Sequence, residues 1–342
     1  MYVIAEAGVN HNGKEDLAIQ LIDVAAKSGA DAVKFQTFRA EKLVAKGTAT
    51  ADYQKQQTGS SDQYAMLKGL ELDVSIYARL FDRCQSQGID FLSTPFDLES
   101  AQLLVDLGMN KIKVPSGELT NIPFIKSLAE FDLPMILSTG MADILEVVEA
   151  VDAVAQARLA KNLTQPLSQI LTVLHCTSNY PAANEDVNLK AITTLQDSLN
   201  LPIGYSDHTQ GIVVSVAAAA LGAVVLEKHF TLDRNMSGPD HQASIEAGEL
   251  SELVSQARRV ASCLGDGKKE PAASEHSIRE LVRRSLVLKD DQLQGHKLVF
   301  DDVVLLRPGT GIAPKYLDRA IGRTLCQSKK AGDILQWEDF AK

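Results

Sequence analysis

Short apolar runs alternate with longer amphipathic stretches through the first three quarters of the chain. The runs Tyr2–Ala7, Ala32–Gln36, Asp90–Ser93, Lys111–Val114, Met135–Ser138, Leu171–His175, Ile203–Tyr205 and Val224–Lys228 have the length and texture of buried strands. Between them, Asp16–Ser28, Ser75–Gln87, Leu98–Leu107, Ile144–Leu159 and Gly211–Leu221 repeat apolar residues at helical spacing. Glycine or proline marks the returns, as in Ser28-Gly29, Gln87-Gly88, Leu107-Gly108 and Leu201-Pro202. Eight strand–helix units across residues 1–265 predict an α/β fold, a (β/α)₈ TIM barrel. An open doubly wound sheet is the competitor, but no glycine-rich dinucleotide fingerprint follows any run.

The texture changes in two places. Lys42–Leu72 is too long for an ordinary loop between a strand and its helix, which predicts a lid or a binding element. Residues 266–280 begin with Asp266-Gly267-Lys268-Lys269-Glu270-Pro271, just after Gly265, and read as a linker. Residues 281–342 follow with short β-like runs at Ser285–Leu288, Val303–Leu306 and Ala320–Thr324, punctuated by Gly295, Pro308-Gly309, Gly311 and Gly332. That is a small β-rich domain near the lower size limit for folding alone.

Composition narrows the class. The chain has 342 residues, is 45% hydrophobic and 23% charged, and carries a net charge of −10. That acidity excludes nucleic acid and an anionic membrane surface as main partners. Residues 281–342 hold 11 Lys/Arg against 8 Asp/Glu, so this faintly basic tail complements an acidic body. Cys84, Cys176, Cys263 and Cys326 show no C-x-x-C spacing and are expected as reduced thiols, three of them plain core residues. The chain enters a strand at once without a basic, apolar leader, and Val213–Leu226 is too short to span a bilayer, so a cytoplasmic location is expected.

In a barrel, chemistry gathers where the strands end. Those ends carry Glu6, Lys34 with Gln36, Thr94, Lys113 with Ser116 and Glu118, Ser138, Thr177 with Tyr180, Ser206 with His208, and His229. Some of the hydroxyls could simply cap the next helix. Two lysines with hydroxyls around one opening suit a phosphorylated anion. The carboxylates Glu6, Glu118 and Asp240, with Gln36, suit a polyhydroxylated partner. His208 and His229 lie 21 residues apart, one strand–helix–strand step, which predicts imidazoles on neighbouring strand ends. Two neutral imidazoles with water leave open positions on a metal where a carbonyl could be polarised. His11 and His175 are read as supporting groups.

With these residues in view, the chain resembles the sialic acid synthases along its whole length. The matching stretches are Ala5-Glu6-Ala7-Gly8-Val9-Asn10-His11-Asn12-Gly13, Lys34-Phe35-Gln36-Thr37-Phe38, Ser93-Thr94-Pro95-Phe96-Asp97 and Pro115-Ser116-Gly117-Glu118. Further on come Leu137-Ser138-Thr139-Gly140-Met141, His175-Cys176-Thr177, Tyr205-Ser206-Asp207-His208-Thr209, Glu227-Lys228-His229-Phe230-Thr231 and Met236-Ser237-Gly238-Pro239-Asp240-His241. The tail, with Arg307-Pro308-Gly309-Thr310-Gly311-Ile312, resembles the antifreeze-like (SAF) domain of these enzymes. Ser178 and Asn179, where members vary, are not carried over.

The resemblance implies condensation of phosphoenolpyruvate with an open-chain N-acylated amino sugar, releasing phosphate and forming a nine-carbon 2-keto acid. N-acetylmannosamine giving N-acetylneuraminate is the first expectation. The alternative is a 2,4-diacetamido-2,4,6-trideoxymannose giving N,N'-diacetyllegionaminate. It further implies that Lys34, Lys113, Thr94, Ser116, Ser138 and Ser206 hold phosphoenolpyruvate, and that Glu6, Gln36, Tyr180 and Asp240 hold the sugar. His208 and His229 would bind a divalent cation, Mn²⁺ first, with Mg²⁺ or Co²⁺ as alternates, and Glu118 would handle water. Arg307 would reach the partner's site in a domain-swapped homodimer. Three rival classes stand against this: a Schiff-base aldolase using Lys113 or Lys228, a metal-dependent hydrolase, and a carbohydrate- or ice-binding protein.

Overall fold

The apolar runs pair side by side as parallel strands: β1 (Tyr2–Gly8), β2 (Ala32–Thr37), β3 (Asp90–Pro95), β4 (Ile112–Val114), β5 (Met135–Ser138), β6 (Leu171–Cys176), β7 (Ile203–Asp207) and β8 (Val225–His229). These coordinates are a computed structural model describing residues 1–341, apart from the side chains of residues 52, 53 and 56. The sheet order is β3-β2-β1-β8-β7-β6-β5-β4, and β3 lies beside β4, so the ring closes as a TIM barrel. The predicted strands end within about two residues of those observed, the usual scatter of element boundaries.

Alternation along each strand divides the chemistry. On β2, Val33 and Phe35 are fully buried, and Phe35 packs on Phe91, which meets Phe81 of helix Val74–Gln87. Lys34 and Gln36 face the opposite way, into the barrel. The helices begin where short polar side chains can cap them. Asp97 accepts from Ser100 N at the start of helix Leu98–Asp106, and Asp143 with Glu146 forms a capping box on helix Ile144–Ala160. Asp97 of the matching stretch is therefore also a cap.

The long segment after β2 has structure of its own, with helices Ala40–Leu43, Asp52–Thr58 and Gln63–Leu70. Met66 and Leu70 join Val9 and Phe38 in a separate apolar cluster. Among the described residues, no helix is long and apolar enough to cross a membrane.

The chain divides into two units, Met1–Gly265 and Asp266–Lys342. The second has its own core around Leu286, Leu298, Ile312, Leu325 and Leu335, with β9 (Ser285–Leu288) antiparallel to β10 (Val303–Leu306). Two expectations need correction here. Helix His276–Val282 begins inside the predicted linker, and Ala320–Thr324 is not a strand. Ala320 ends the short helix Leu317–Ala320, and Thr324 makes a single bridge to Lys297.

Candidate active site

Strand register lines up the polar groups before any side-chain contact is considered. Glu6 is paired with Lys34 on one side and His229 on the other, and Ser206 is paired with Glu227. Lys34 Nζ lies 2.8 Å from Glu6 Oε2 and 3.4 Å from Glu227 Oε2, and it donates to Thr94 Oγ1 at 3.1 Å. Lys113 Nζ donates to Ser138 Oγ at 2.7 Å and lies 3.4 Å from Glu227 Oε1. Ser206 Oγ donates to the same Glu227 oxygen at 2.8 Å. One buried network thus joins β1, β2, β3, β4, β5, β7 and β8.

Its electrostatics are set by burial against pairing. Burial pushes Glu6 up to about 7, although Lys34 pulls the other way. Burial also opposes ionisation of Glu227, but Lys113 and Lys34 together hold it well below the carboxylate range. Lys113 is drawn below its ordinary value by burial, with Glu227 opposing and Lys34 adding to the fall. Burial works against Lys34 too, yet Glu227 and Glu6 raise it overall. A charged Glu227 between two ammonium groups keeps both desolvated cations tenable.

A second corner adjoins the network. Ser116 Oγ accepts from Gly140 N at 2.9 Å and lies 3.7 Å from Cys176 Sγ. A side chain on Gly140 would strike Ser178 Oγ, so this glycine keeps a hydroxyl-lined space open. On the other side, a Cβ on Gly8 would fall 3.3 Å from both Glu6 Oε1 and His229 Cε1 and 3.5 Å from Gln36 Nε2. Glu6, Gln36 and His229 therefore surround one point.

The two imidazoles are neighbours, with ring centroids 5.5 Å apart and an interplanar angle of 51°. One ion roughly 2.1 Å from a nitrogen of each ring fits that separation. His208 Nδ1 lies 2.7 Å from Thr177 O and donates to that carbonyl, which leaves Nε2 as the ring nitrogen available to a ligand. Burial lowers this ring's pKa, but Cys176 and the Thr177 carbonyl raise it overall, so a metal would displace a proton here. His229 Nδ1 is buried without a hydrogen-bond partner among the described residues, and burial with the nearby His208 holds this ring far below its ordinary pKa. A neutral ring with an orphaned nitrogen suits a metal. Among the described residues, no group of three or more His, Cys, Asp or Glu could hold one, so water and substrate would complete the shell. Tyr180 stands against both rings, 4.1 Å from His208 and 5.5 Å from His229 between centroids. Asp240 is buried, and burial pushes it up to about 6 while His208 pulls it down.

Of the candidates read from sequence, Glu118 lies outside this network among the described residues and accepts from Asn121 Nδ2 at the rim. Arg307 is exposed on the second unit. Glu227 is not among the candidates read from sequence, while Cys176, expected as a plain thiol, and Ser178, not carried over, both stand beside Gly140. Glu227 was findable, because two residues before His229 on a strand is the same face. The same alternation turns Lys228 out of the barrel, onto Asp207, which removes it as a Schiff-base nucleophile. Cys176 and Cys84 are buried, but Cys263 and Cys326 are exposed, so two rather than three cysteines are available as core residues.

The NeuB family pattern matches residues 21–269, and the SAF domain pattern matches residues 283–341. The N,N'-diacetyllegionaminic acid synthase of Legionella pneumophila is 48% identical over 98% of this chain and 94% of its own. The Campylobacter jejuni enzyme of the same name is 45% identical over 98% of each. Among solved structures, the N-acetylneuraminic acid (sialic acid) synthetase of Leptospira borgpetersenii aligns with a TM-score of 0.71 at 36% identity, covering 81% of this chain and 89% of that one.

Proposed function

The chain belongs to the NeuB family and ends in a SAF domain, and on that premise we propose that it joins phosphoenolpyruvate to 2,4-diacetamido-2,4,6-trideoxymannose, forming N,N'-diacetyllegionaminate and releasing phosphate. The choice of sugar rests on the two relatives at 48% and 45% identity, both N,N'-diacetyllegionaminic acid synthases. It moves the reading from N-acetylmannosamine, the first expectation, to the alternative. The observation that carries the phosphoenolpyruvate reading is the buried Lys34–Glu227–Lys113 bridge, with hydroxyls of Thr94, Ser138 and Ser206 on its members.

Lys34 and Lys113 supply point charge to the phosphate and carboxylate, and Thr94, Ser116, Ser138 and Ser206 orient their oxygens. Glu6, Gln36, Tyr180 and Asp240 hold the open sugar chain so that its aldehyde faces the enol carbon, which attacks it. Water then adds at the enol's second carbon and phosphate leaves from the tetrahedral adduct; Glu118, at the rim, would have to turn from Asn121 toward the opening to position that water or take its proton. His208 and His229 would hold a divalent cation, Mn²⁺ before Mg²⁺ or Co²⁺, which when bound supplies Lewis acidity to the aldehyde oxygen. Arg307 of a partner copy would contact the sugar's acyl carbonyl, making the working form a homodimer. Phosphoenolpyruvate as substrate supports a cytoplasmic location.

The test is kcat/KM for both sugars at saturating phosphoenolpyruvate, read by phosphate release. A preference of about tenfold or more for the diacetamido sugar is expected, and a preference for N-acetylmannosamine would reverse the assignment.

A further inference from the structure

Two charged side chains on the far face of the imidazole-bearing strands are left unused by the chemistry above. Asp207 precedes His208 and Lys228 precedes His229, so alternation turns both away from the lysine-ringed interior. They stand opposite each other in the β7–β8 ladder and form an ion pair, Nζ to Oδ2 3.0 Å, with both side chains fully buried. Asp207 Oδ1 accepts from Thr209 N at 2.9 Å and from Thr209 Oγ1 at 2.8 Å, while Oδ2 accepts from Ser215 Oγ at 2.5 Å. Lys228 also donates to the Thr209 carbonyl. The residues on either side of His208 are thereby tied to the residue before His229.

A fully buried ion pair is weak as a stabilising device, since well-packed apolar residues of similar volume usually serve the fold as well or better. What this pair does provide is a fixed relation between two backbones at the point where each presents an imidazole. The β7–β8 ladder sets the register, and the Asp207–Lys228 pair adds a side-chain tie at its last paired position, just before the two histidines. The ion pair and its Thr209 bonds resist a shift of one strand against the other, because any slip strands a charge in the protein interior.

We infer that Asp207 and Lys228 are positioning residues for the paired imidazoles: their clamp sets the spacing of His208 and His229 and so the affinity for a divalent cation. The inference rests on the proposal that these two histidines bind such a cation. Neither residue is placed in contact with substrate.

The test titrates Mn²⁺ into chelator-stripped full-length protein and reads free Mn²⁺ by paramagnetic resonance, with calorimetry of phosphoenolpyruvate binding alongside. The Asp207→Asn/Lys228→Met double variant removes both charges, keeps volume, and leaves an amide oxygen for Thr209 N. It should fold cooperatively, bind phosphoenolpyruvate as wild type does, and lose about 10–100-fold in Mn²⁺ affinity. Thr209→Val, which removes one tie and no charge, covers the case in which the double variant fails to fold, and should lose about threefold. Wild-type Mn²⁺ affinity in a folded variant overturns the inference, as does an equal loss of phosphoenolpyruvate affinity, which marks general loosening. If the wild type binds Mn²⁺ no better than His208→Ala/His229→Ala, the metal reading itself falls.

Discussion

Glu227 on β8 and Lys113 on β4 meet across the barrel interior, Oε1 to Nζ 3.4 Å, although their strands stand on opposite sides of the ring. Lys34 reaches the other Glu227 oxygen, so one carboxylate holds two ammonium groups in place before any substrate arrives. Replacing Glu227 with Gln takes the carboxylate from buried Lys113 and leaves Lys34 with Glu6 alone, and should cost about 3–5 kcal/mol of unfolding free energy. Phosphoenolpyruvate, whose charges face the same lysines, should raise the melting temperature of the variant more than that of the wild type. Scanning fluorimetry reads both, and equal shifts would rule out Glu227 as the charge that substrate replaces.

Lys113 is buried, donates to Ser138 Oγ and lies 3.4 Å from Glu227, and in the proposed reaction it is an anion ligand. Lys113→Met should lower kcat/KM for phosphoenolpyruvate by about 10²–10³-fold and leave the sugar KM near wild type. Borohydride with both substrates should label no lysine. A labelled Lys113 would restore the aldolase reading.

Gly8 has φ +52°, and the space its Cβ would take is bounded by Glu6, Gln36 and His229. Gly8→Ala adds a methyl on the proposed sugar side and strains the backbone there. The sugar KM should rise about tenfold or more while the phosphoenolpyruvate KM changes little. Steady-state kinetics against each substrate separates the two, and a matched rise would place Gly8 elsewhere.

Asp240 supplies a pH test. Its carboxyl rises from 3.8 to about 6 on burial, so the folded protein holds that proton more tightly than the unfolded chain does. The associated stability is complete below the ordinary carboxylate value and is lost as pH rises through 6, a change of about 3 kcal/mol. Metal-free Asp240→Asn should therefore melt like wild type near about pH 4 and higher than wild type near about pH 8. Parallel melting curves across that range would contradict the buried, protonated state.

Arg307→Ala should raise the sugar KM far more than the phosphoenolpyruvate KM, because its proposed partner is the acyl carbonyl. Equal effects on both substrates would remove that role.

Much of this was legible in the residues. Runs such as Met135–Ser138 are apolar because both faces of a barrel strand are covered, so a short unbroken apolar run marks the strand without any alternation. His208 and His229 were readable as a pair because one strand–helix–strand step separates them. Glu227 could have been read by the same alternation, but its partnership with Lys113 depends on ring closure, which brings residues 113 and 227 together. Helix His276–Val282 was hidden by a polar, glycine-bearing lead-in that resembles a linker. The sugar was not legible at all, since both candidates are N-acylated and open-chain when they react.

The most direct measurement counts products from chelator-stripped enzyme supplied with phosphoenolpyruvate and 2,4-diacetamido-2,4,6-trideoxymannose, before and after Mn²⁺ is restored. The expected result is no turnover without metal and, with it, one phosphate for each nine-carbon 2-keto acid formed. Turnover indifferent to the chelator, or phosphate released without a new keto acid, would contradict a metal-assisted condensation at the His208–His229 pair.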